Sequence, residues 1–122
     1  MDFSLRCAYA HGTRAIRTHI DSLNPQDAIS WPVLAQKRAE WAGRIDLQAS
    51  SLIGCDSFES IATDYDETAA LVADHGGVLG MVTYPVPDVA KRIHDFFELA
   101  GKHGLDADFH VDETICASAE TL

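Results

Sequence analysis

Four times in 122 residues a helix-like segment runs into a glycine and is followed at once by a stretch of strand character. The glycines are Gly12 after His11, Gly43 after Ala42, Gly76 after His75 and Gly104 after His103. Glycine accepts the left-handed backbone that ends a helix, so each reads as a helix stop. The strand candidates that follow are Ala15 to Asp21, Ile45 to Ile53, Val78 to Thr83 and Leu105 to Asp112. A unit of about 30 residues is one strand plus one return helix, and returning every strand to the same side makes the sheet parallel. The pattern predicts an α/β chain, a single domain over residues 1–122, with about four βα units.

The helices follow from apolar spacing. The first is expected over Phe3 to Ala10 and the second over Ser30 to Ala42, with Val33, Leu34 and Trp41 facing the sheet and Pro32 in the first turn. The third should start near Asp64, which has capping-box spacing to Glu67, and run to His75 after a long loop over Cys55 to Thr63. The fourth carries Val86, Val89, Ala90, Ile93, Phe96, Phe97 and Ala100 at three- and four-residue intervals after an early Pro87, which makes the phenylalanine pair core. His11, His75 and His103 read as caps on helix C-terminal carbonyls, and His94 as solvated.

Charge limits the partners. With 9 Lys and Arg against 19 Asp and Glu the net charge is −10, which excludes a phosphate-binding basic surface and argues against nucleic acid and anionic membranes. No apolar run reaches the roughly 18 residues that span a bilayer, and Met1 to Arg6 lack a secretion signal, so a cytoplasmic location is expected. Cys7, Cys55 and Cys116 are widely spaced and form no C-x-x-C pair, which reads as reduced, mostly buried thiols.

The fourth strand carries the chemistry. In LDADFHVDET, Leu105, Ala107, Phe109 and Val111 alternate with Asp106, Asp108, His110 and Asp112, so His110 and Asp112 should share a strand face. His110 to Glu113 should lie at the C-terminal end, where parallel sheets keep their sites. An imidazole can hold a metal, and a carboxylate three residues on can move protons between water and substrate. On its own the spacing reads first as a hydrogen-bonded structural histidine.

Parallel strands would gather His19 and Asp21, then Gln48, then Thr83 and Tyr84, then His110, Asp112 and Glu113 at one rim. Gln48, inside the apolar string IDLQAS, needs a partner: either neighbouring backbone or a planar ligand with an amide edge. His19 reads first as a core histidine fixed by Asp21, with ligand or substrate contact as the other roles.

The ordered strings RTHID, GRIDLQ and DFHVDET resemble the cytosine deaminase branch of the amidohydrolase superfamily, over about Tyr9 to Thr114. The resemblance implies a (β/α)8 TIM barrel holding one divalent metal, iron or zinc, that hydrolyses an amino group from a pyrimidine or related ring. It implies His110 as metal ligand, Glu113 as the catalytic proton carrier and Gln48 as the substrate-binding amide. His19 is implied at the substrate, with Asp21 and Asp112 supporting. The His-x-His pair of the family's first strand does not occur, TICASAETL after Glu113 departs from the family, and the later metal ligands would lie beyond Leu122. The chain therefore resembles strands two to five of a longer barrel.

Two other readings stand beside a metal-dependent ring deaminase. One is a catalytically silent half-barrel that binds no metal, since a single histidine holds a divalent ion poorly, and that self-associates as a homo-oligomer through open strand edges. The other, ranked low, is a phosphoacceptor module built on Asp21, which needs a lysine after a later strand; no lysine follows His103.

Overall fold

The computed structural model describes residues 1–57, 64–113 and 115; the expected loop is described only at its start, and Thr114 and Cys116 lie outside the described residues. Helix α1 spans Asp2–Ala10, strand β1 Ala15–Asp21, α2 Asp27–Glu40, β2 Asp46–Leu52, α3 Asp66–Asp74, β3 Leu79–Val82, α4 Val89–His103 and β4 Ala107–His110. The chain is thus α/β with short parallel strands, as the repeat predicts: β1 pairs with β2 and β3 with β4, both in parallel. Gly12, Gly43, Gly76 and Gly104 all have positive φ, between 59° and 86°, as helix stops require.

The two pairs join through parallel bridges at Ser50–Val78 and Gly54–Val82, giving the order β1-β2-β3-β4. Between the bridges the Gly80 N–H donates not to backbone but to the Ser51 hydroxyl, at 2.8 Å. The Tyr65 hydroxyl donates to the same oxygen at 2.5 Å. A Cβ on Gly80 would stand 2.0 Å from the Ser51 carbonyl oxygen, so only glycine fits where these strands draw together. Burial raises the pKa of the Tyr65 hydroxyl far above its ordinary value, against the lowering effect of its bond to Ser51, and keeps it a donor.

Register divides the side chains into two faces. Ile20, Leu47, Ala49, Ile53, Leu79 and Met81 lie on the helix-covered face and are buried with Trp31, Leu34, Phe96 and Leu99. The Trp31 indole N–H, fully buried, donates to the Ser22 hydroxyl at 3.1 Å, so the burial leaves no orphan donor. Arg38 ties the layers: Nε donates to the Leu47 carbonyl at 2.9 Å and Nη1 to the His75 carbonyl at 2.6 Å.

Several local expectations are corrected. Helix α2 starts at Asp27, a turn early, so Pro32 sits in its interior. The buried Asp27 carboxylate holds that start, accepting the Ala28 N–H at 2.7 Å and the Thr68 hydroxyl of α3 at 2.9 Å. Helix α3 begins at Asp66, near the expected Asp64, whereas α4 begins only at Val89, with Pro87 before it and Asp88 in the left-handed region. Phe96 is fully buried but Phe97 is 50% exposed, touching Phe109 with ring centroids 5.3 Å apart. Cys7 is exposed, whereas Cys55 is buried.

The capping histidines divide as well. Nδ1 of His11 and of His75 donates to the carbonyls of Cys7 and Leu71, each at 2.8 Å, as expected. His103 instead turns Nε2 to the Asp66 carboxylate at 2.7 Å, and Lys102 reaches the same group at 2.8 Å. No described helix is long and apolar enough to cross a membrane.

Candidate functional site

The face away from the helices carries Arg17, His19 and Asp21 from β1, Gln48 and Ser50 from β2, Gly80 and Val82 from β3, and Asp108 and His110 from β4. Neighbouring strands are about 4.8 Å apart, so β1 and β4, with two strands between them, would be about 14 Å apart in a flat sheet. Yet His19 Nε2 lies 3.1 Å from Asp108 Oδ2, and the rings of His19 and His110 meet edge to face at 4.4 Å. The sheet therefore curls, with helices on its convex side and these side chains on the concave side.

Three ligand-capable groups converge there: the donor atoms of His19, Asp108 and His110 all lie within 4.8 Å of one another. His110 ends β4, two residues short of Asp112, to which the alternation runs. Asp112, however, has φ 53°, so the strand stops before it and it does not share the strand face with His110. Aspartate tolerates that left-handed conformation. The turn brings Glu113 back onto His110, with Oε1 3.1 Å from Nδ1.

Asp108 is the residue that the motif reading passed over. It stands two positions before His110 and so on the same strand face, which the period-two pattern itself marks. Burial pushes its carboxyl up, but hydrogen bonds from His19 and Ser50 and the charges of His19 and Arg17 outweigh this and hold it below the ordinary aspartate value. Gly80, between Ser50 of β2 and Asp108 of β4, carries no side chain to separate them.

His19 is fixed by Asp108 and not by Asp21. Residues two apart on a strand project in parallel, so Asp21, exposed at the end of β1, stands beside His19 without reaching over it, whereas the curl delivers Asp108 from across the sheet. Gln48 is third in β2 and exposed, not buried at a strand end. Arg17, its register partner, donates to Oε1 through Nε at 3.3 Å and Nη2 at 3.2 Å. Guanidinium has no acceptor, so the atom facing it must be the amide oxygen, and the Gln48 amino group points away. Gln48 thus lies on the concave face with the histidines, one residue pair nearer the strand N-termini.

Two imidazoles and an ionised carboxylate suit a borderline divalent cation such as zinc or iron, and three protein ligands leave a position open for a reacting molecule. A second groove, lined by Asp2, Arg6, Tyr9, Glu40, Trp41 and Arg44, lies at the α1–α2 junction. Its charges are already engaged: Arg6 pairs with Asp2 at 2.8 Å, and Arg44 stacks 4.2 Å over the Trp41 ring.

No protein-family model matches the chain. Over 114 residues it is 46% identical to a pterin deaminase of Rhizobium rhizogenes, a match that takes in 93% of this chain and 26% of that protein. The chain thus spans about a quarter of the length of this curated relative. A match of that extent includes His19 to Glu113 wherever in the chain it begins.

Proposed function

We propose that this chain is part of a metal-dependent hydrolase that removes the exocyclic amino group of a pterin-like ring, built as part of a (β/α)8 barrel of the amidohydrolase kind. The observation that carries the reading is the 46% identity to a pterin deaminase across 93% of the chain. It favours a fused aminopyrimidinone over free cytosine. Both rings share an amino-bearing carbon joined through a ring nitrogen to a carbonyl, so the same groups serve either. The curled parallel sheet, with helices on one side only, supports the partial-barrel reading.

The reaction consumes one water and releases one ammonia: a C–O bond forms at the amino-bearing carbon and its C–N bond breaks. A divalent metal held by His110 would supply the acidity that lets water lose a proton near neutral pH. Glu113 takes the proton from the attacking water and delivers protons to the ring nitrogen and the departing amine. Its Oε1 lies 3.1 Å from His110 Nδ1, which places this carboxylate at the same strand end as the histidine. Gln48 orients the ring. With Oε1 held by Arg17, its amino group donates to the ring carbonyl, which disfavours rings lacking an acceptor there. His19 stands on the same face beside His110, with Asp21 and Asp112 at its border.

The test exchanges this chain for the matching quarter of the Rhizobium rhizogenes enzyme and measures ammonia release from pterin and cytosine. The expected outcome is retained pterin turnover, abolished by Glu113→Gln and weakened through KM by Gln48→Ala. Turnover that survives Glu113→Gln would remove that residue from its role, and a faster reaction with cytosine would overturn the substrate assignment.

A further inference from the structure

We infer that His19 and Asp108 are metal ligands, and that with His110 they give this chain a complete three-donor site for a divalent cation of the zinc, iron or cobalt class. The inference shares His110 and Glu113 with the deaminase reading, but it stands on the convergence of three donors and is read by metal binding rather than turnover, so either can fail alone.

The first observation is convergence. One donor atom from each of the three residues lies within 4.8 Å of the others, although His19 and Asp108 are 89 residues apart in sequence. A tetrahedral ion with ligands at about 2.1 Å sets its donors about 3.4 Å apart. His19 Nε2 and Asp108 Oδ2, at 3.1 Å, already meet that spacing. The third donor closes the remaining distance by side-chain rotation on a face open to solvent.

The second observation is the partner of His110. A metal-binding imidazole characteristically holds its other nitrogen against a carboxylate, which fixes the tautomer and turns the free lone pair to the ion. Here Nδ1 of His110 is held by Glu113, leaving Nε2 for the cation.

The donor chemistry selects the ion. Two nitrogens and one oxygen do not make the all-oxygen cage that calcium and magnesium require, and no cysteine stands among the donors to attract a thiolate-seeking metal. A strand-borne set is also well fixed: β1 and β4 are anchored by regular ladders to β2 and β3.

The experiment titrates the metal-free chain with Co²⁺, reading the intense visible bands of a four-coordinate ion and the stoichiometry by calorimetry. One ion per chain is expected. His19→Ala and Asp108→Asn should each weaken binding by at least 100-fold, and Glu113→Gln by about 10- to 100-fold. His94→Ala, on an exposed helix position, should leave it unchanged. Circular dichroism on each variant separates loss of a ligand from loss of fold. Absence of stoichiometric binding, or binding that withstands both His19→Ala and Asp108→Asn in folded protein, would overturn the assignment and mark any bound ion as adventitious.

Discussion

A single missing side chain organises the centre of the molecule. Gly80 lets the Ser51 hydroxyl enter the β2–β3 junction and lets Ser50 approach Asp108, so one position serves both the buried Tyr65–Ser51 bond and the concave face. A methyl group there would press on the Ser51 carbonyl at 2.0 Å and the Ser50 hydroxyl at 2.3 Å. Since the first neighbour is backbone, the strain cannot be relieved by a rotamer change. Gly80→Ala should therefore cost about 3 kcal/mol, at the upper end of overpacking. Urea unfolding measures it, and a loss under 1 kcal/mol, on the order of a tolerated swap, would mean that the strands separate easily. The strand face of His110 was legible from alternation alone; Asp108 carries the same signal but was not among the residues expected at the site. His19's partner was not legible, because nothing in RTHID indicates that the sheet curls.

At the scale of elements, α3 and α4 are clipped by one carboxylate. Asp66 lies 2.7 Å from His103 and 2.8 Å from Lys102, and these partners, His103 foremost, hold its pKa below the ordinary value. A carboxyl with a lowered folded pKa contributes stability that is full above its unfolded value, about 3.9, and is lost as pH falls through the folded one. The melting temperatures of the wild type and Asp66→Asn should differ at pH 6 and converge below about pH 4. A gap that persists in acid would show that the clip does not act through charge. The Asp64–Glu67 spacing invited a capping box, but a tertiary partner on α4 takes Asp66 just beyond it, an outcome no local pattern contains. Likewise the helical spacing marked Phe96 and Phe97 together, and only the placement of β4 decided that Phe96 is enclosed and Phe97 stands at the border.

Taken whole, the described chain is a curled four-stranded layer with a polar concave face and helices behind it. Edge strand β1 pairs on one side only among the described residues, leaving the outward-facing backbone groups of alternate residues along its seven-residue length open to another strand. On its own the chain should self-associate, and light scattering should give at least twice 13.3 kDa. A well-folded 13.3 kDa monomer would overturn this. The element order, the parallel sense and the histidine at the end of β4 were all determined by the sequence alone. Apolar periodicity and glycine stops are local signals, legible within ten to twenty residues or so. Tertiary structure alone decided that His19 meets Asp108, that Gln48 answers to Arg17, and that one histidine becomes one of three donors. Those contacts depend on the curvature of the sheet, which arises from how four strands and their helices pack and is written in no single segment.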